Sequence, residues 1–123
     1  HPGAPVWDGA TCHAALNAPA SHLCIWGFPC VHFSRLHRTA TREDIESDLD
    51  VLDIALGYVR LRRPPAFVLE NLAWLDTSGL RWALERICAL LRPLGYTWYL
   101  GPLNAAALGG GAARDRLFWV GLR

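Results

Sequence analysis

The chain has 123 residues, 52% of them apolar and 19% charged, and a net charge of +1. That length suits one domain with a real core and is short for two, and the composition excludes a disordered polar chain. No apolar run approaches membrane-spanning length and the first residues do not read as a signal peptide, which predicts a soluble, cytoplasmic protein without a membrane partner.

Because the sequence opens at His1 and contains no methionine, it reads as a piece of a longer or processed chain. Near-neutral charge neither demands nor excludes a nucleic-acid partner. Cys12, Cys24, Cys30 and Cys88 form no C-x-x-C pair, and the Cys and His spacings match no standard zinc site. No metal is expected.

In chain order, residues 1–21 are broken by Pro2, Pro5, Gly9 and Pro19 and predict a loop. Leu23 to Trp26 is a short apolar run that ends at Gly27, as a buried strand would. Ser34 to Arg42 is polar and basic. Thr41, with Asp44 three residues on, predicts a capping-box start to a helix. Ile45, Leu49, Leu52, Leu56 and Val59 then step by four and three, which makes one apolar stripe. Acids gather in its first turns and arginines near its end, as the helix dipole favours, and Pro64-Pro65 stops it.

Ala66 to Asn71 predicts a second strand that ends in a carboxylate and an amide. A second helix is expected to start near Ser78, with Leu80, Leu84, Ile87 and Leu91 buried and Pro93 and Gly95 ending it. Tyr96 to Leu100 predicts a third strand, 105–113 a mobile Ala- and Gly-rich loop, and Arg116 to Leu122 a last strand. Alternating strands and helices predict an α/β domain with a mainly parallel sheet. The last two strands have no helix between them and are expected to pair antiparallel.

Open α/β sheets place function at the carboxyl ends of their strands. Cys30 follows the first strand, Glu70 ends the second, and Arg114 and Arg116 lead into the last. Singly, each has a structural reading: a packed thiol, a capping carboxylate, surface charges. Together they could meet in one pocket.

The sequence "GFPC" after an apolar strand resembles the Pro-Cys motif of cytosine-C5 methyltransferases. "ENL", Glu70-Asn71-Leu72, is similar to their Glu-Asn-Val motif. "LNAAALGGGAARDRLFWVG", Leu103 to Gly121, is similar to their Leu-Asn-Ala segment and the Arg motif that follows it. Order and spacing agree over roughly residues 6 to 123. The resemblance implies a Rossmann-like S-adenosylmethionine-dependent methyltransferase fold, present in part, with 1–123 a single partial catalytic domain.

It implies that Cys30 attacks C6 of a cytosine flipped out of DNA, so that C5 takes the methyl group of S-adenosylmethionine. Glu70 would hold the base at N3 and its amine, and Arg116, with Arg114, the O2 side. Pro29 would fix the backbone that presents the thiol. Asp8, Phe28 and Pro29 would lie on the cofactor side, and Asn71 and Ser34 on the substrate side. Departures from the family pattern are Val31 and Ala112 where it has Gln, Gly111 where it has Pro, and His22 where it has Asp. An RNA substrate and a catalytically degenerate or truncated homologue remain alternatives. The Gly-rich cofactor turn is expected before His1 and the target-recognition region after Arg123.

Overall fold

The computed structural model describes residues 17–28, 39–76 and 79–123. Among them four strands form one mixed sheet: β1 (Leu23–Gly27), β2 (Ala66–Leu72), β3 (Thr97–Asn104) and β4 (Asp115–Leu122), in the order β1-β2-β4-β3. β1 pairs parallel with β2, and β4 runs antiparallel to both β2 and β3. Three strands therefore point one way, and the last strand of the chain runs against them from an inner position. The reason is connectivity. A parallel pair needs a crossover, here a helix between β1 and β2, whereas β3 returns into β4 through a short link.

The crossover helix α1 (Arg42–Arg62) starts where the sequence predicts. Thr41 Oγ1 accepts from the Asp44 N–H at 3.2 Å, and the Thr41 N–H donates to Asp44 Oδ2 at 2.8 Å. All five residues of the predicted stripe are buried. The helix closes on Arg63 in the left-handed region (φ 49°), whose N–H bonds to the Val59 carbonyl, and Pro64 follows. The second helix, α2 (Arg81–Leu91), buries Ala83, Leu84, Ile87 and Leu91. It begins three residues after the expected Ser78, which lies outside the described residues.

Both helices join one core with the alternate residues Cys24 of β1, Phe67 and Leu69 of β2, and Leu117 and Trp119 of β4. Gly121 continues that face of β4, where a β-carbon would lie 2.1 Å from the Phe67 ring. The interleaved residues form the opposite face, which is apolar and open: Ile25 is 67% and Tyr99 71% exposed.

Both bounds of β3 move. β3 starts one residue late and continues past Leu100 through Gly101-Pro102 to Asn104, in register with β4 throughout. Proline is tolerated there because β3 is an edge strand and needs no donor on its outer side. The stretch expected to be a mobile loop contains a 3-10 turn at Ala106–Leu108. Asn104 organises it: its side chain accepts from the Ala106 N–H at 2.8 Å and donates to Asp115 Oδ1 at 2.6 Å.

Candidate active site

Strand alternation places Glu70, Arg116 and Phe118 on the open face of the sheet. Glu70 sits opposite Phe118 on β4 and beside Gly27 on β1. Arg116, two residues from Phe118, reaches back along that face, and its Nε lies 2.7 Å from Glu70 Oε1. The Arg116 guanidinium also donates to the Asp115 carbonyl at 2.9 Å. A cleft of about 330 Å³ opens over this pair, lined by Glu70, Arg114, Arg116, Phe118, Leu103, Ala105 and Leu108.

The cleft suits a planar polar ring. One carboxylate accepts and two guanidiniums donate, while Phe118, Leu103 and Leu108 supply an apolar wall. Side chains of the Arg116–Glu70 pair are 22% and 30% exposed. In such partial contact with water an ion pair is worth on the order of 1 kcal/mol or less, so a ligand edge with its own donor and acceptor can replace it.

Asn71 does not share the cleft. It is 2% exposed, on the helix-covered face. Its amide donates to the Phe28 carbonyl at 3.2 Å and accepts from the Leu72 N–H at 2.7 Å. Rather than reaching substrate, as the resemblance implies, Asn71 ties the end of β1 to β2. Phe28 packs its ring into the core, 6.1 Å from Trp119, so it offers a ligand backbone only. Asp8, Pro29, Cys30 and Ser34 lie outside the described residues. The sheet thus brings Glu70, Arg114 and Arg116 together at the strand end that leads to Cys30.

Sequence reasoning missed the wall residues Leu103, Ala105, Leu108 and Phe118. The turn that carries Leu108 is closed by the pairing Asn104↔Asp115 across the strand ends, which sequence pattern alone does not reveal. Among the described residues no group of three or more His, Cys, Asp or Glu is placed to hold a metal ion.

The fold is the α/β fold of methyltransferases, present in part. The family model for C-5 cytosine-specific DNA methylase matches residues 11–123, and the chain belongs to that family. The type II methyltransferase M.HgiCII of Herpetosiphon aurantiacus is 32% identical over 107 residues, 85% of this chain and 24% of its own. M.NgoBI of Neisseria gonorrhoeae, also a type II methyltransferase, is 31% identical over 105 residues, 85% of this chain and 32% of its own. The chain therefore spans about a quarter to a third of these relatives. Among solved structures, a prophage-encoded Escherichia coli protein described as a DNA modification methyltransferase superposes with a TM-score of 0.65. That match has 18% identity and covers 96% of this chain and 31% of the other.

Proposed function

We propose that this chain is the base-binding and nucleophile-bearing part of a DNA cytosine-C5 methyltransferase. One observation carries the proposal: the Glu70 carboxylate and the Arg116 guanidinium share a single cleft, beside the strand end that leads to the Pro29-Cys30 pair. Cytosine presents an amine, a ring nitrogen and a carbonyl along one edge, which matches a carboxylate next to guanidinium donors.

Within this reading the Cys30 thiolate adds to C6 of the flipped base, because the neutral thiol is a poor nucleophile. The C5–C6 π electrons move to C5. Glu70 accepts from the exocyclic amine, and Arg116 donates towards O2, where negative charge grows as the ring becomes electron-rich. S-adenosylmethionine, which the family and fold imply, supplies an electrophilic methyl group when bound. The C5 proton then leaves to a base, the electrons restore the double bond, and Cys30 departs as thiolate. The chain's own contribution is to hold the base, polarise it and add the sulfur.

Tritiated-methyl transfer to mixed-sequence DNA tests this, using the complete reading frame around the 123 residues as well as the chain alone. Cys30→Ser should abolish transfer, and Glu70→Gln should lower it about a hundredfold or more. Transfer is expected only from the complete frame, since binding a donor and a base together needs both halves of the site. Undiminished transfer by Cys30→Ser would defeat the assignment, and labelling of RNA in preference to DNA would move the substrate class.

A further inference from the structure

We propose that Gly27 is a positioning residue: its missing side chain leaves Glu70 Oε2 open to the base while Oε1 is held by Arg116. This deepens the reading of the cleft as a base site and rests on it. Gly27 ends β1 directly beside Glu70, on the same face of the sheet. A β-carbon on Gly27 would lie 3.2 Å from Oε2. The carboxylate gives way only by moving against the Arg116 Nε contact on its other oxygen at 2.7 Å. Arg116 is itself tied to the Asp115 carbonyl at 2.9 Å. A methyl group at position 27 must therefore shift the carboxylate by a few tenths of an ångström against its bond to Arg116.

Backbone conformation does not explain the glycine. Among the described residues the glycines with positive φ are Gly95 and Gly109, so position 27 has a backbone that alanine can adopt. Bulk on this face of β1 is no obstacle either. Leu23 and Ile25, the preceding residues on that face, are 47% and 67% exposed. Glycine weakens a strand relative to alanine. The strand thus carries its least favourable residue at the one position that abuts the Glu70 carboxylate.

The test compares Gly27→Ala with Gly79→Ala, a control whose β-carbon would meet nothing within 4 Å. Three readouts are taken: thermal midpoint, the Arg116 Nε–H resonance in ¹H–¹⁵N spectra, and methyl transfer by the complete enzyme. For Gly27→Ala the midpoint should be unchanged or higher, the Arg116 resonance should shift, and transfer should fall about tenfold or more. The control should change neither the resonance nor the transfer. An unmoved Arg116 resonance in Gly27→Ala would overturn the proposal, and so would a lowered midpoint, which would mark an ordinary backbone role. A shifted resonance with undiminished transfer would also overturn it. In that case Glu70→Gln separates the causes: if it abolishes transfer only the role of Gly27 fails, and if it too stays active the base-site reading fails.

Discussion

Cys24 and Cys30 lie six residues apart in the chain and have opposite chemical prospects. Cys24 is 7% exposed in the core, and burial pushes its thiol above the ordinary value of 9.0, so it stays protonated and unreactive. Cys88 is half-buried on α2. Iodoacetamide at pH 8, followed by peptide mapping, should modify Cys30 first and Cys24 last. Rapid labelling of Cys24 in the folded chain would contradict its place in the core. Much at this scale was legible. The motifs place Glu70 and Arg116 at strand ends, but Leu23 to Trp26 is apolar throughout, so the sequence does not tell that Cys24 faces the core while Leu23 and Ile25 are exposed. Asn71 is instructive, because its neighbour Glu70 faces the cleft and period-two alternation sends Asn71 to the other face. The resemblance put both residues on substrate, and in this structure the Asn71 side chain bonds instead to the Phe28 carbonyl and the Leu72 N–H.

Elements that carry their own start and stop signals were read well. The α1 boundaries follow from Thr41, Asp44 and Pro64, which act locally and need no tertiary partner. Thr41→Ala removes the hydroxyl half of the capping box, leaves the backbone N–H bond to Asp44, and should lower stability by about 1 kcal/mol, read as a lower urea midpoint at unchanged slope. An unchanged midpoint would mean that water replaces the cap without loss. Boundaries set by pairing were read less well. Gly101-Pro102 looks like a break in isolation, yet those residues pair with Phe118 and Leu117, and the partner strand decides the length of β3. The turn at Ala106–Leu108 likewise depends on Asn104 and Asp115 meeting across the strand ends, which needs the register to be known.

For the whole molecule, the α/β class and the antiparallel last strand were visible in the order of elements, but the inner position of β4 was not. Strand order comes from which edges remain open to pairing, not from local pattern. Two buried groups then give the complete core a common pH response. Cys24 pairs in register with Phe67, whose ring contacts the Tyr96 ring at 5.1 Å. Burial raises the Cys24 thiol above its ordinary 9.0. Burial also raises the Tyr96 phenol above 10.0, with Arg63 and Arg123 opposing the shift and Cys24 adding to it. Tyr96 donates to the Pro64 carbonyl at 2.5 Å, a bond that its ionised form would lose. Both shifts have the same sign: above the ordinary values the folded chain keeps protons that the unfolded chain has released. Stability from these groups is therefore complete below about pH 9 and falls as pH rises through the raised values. The slope is at most about 1.4 kcal/mol per pH unit for each group. Urea midpoints measured from pH 7 to 11 should be flat at first and then fall, through Cys24 first and Tyr96 after it. Cys24→Ala should remove the first part of the fall and Tyr96→Phe the second, whatever each does to the midpoint at neutral pH. If the double variant loses stability with the wild-type slope, the alkaline transition belongs to other groups and this core does not titrate as described.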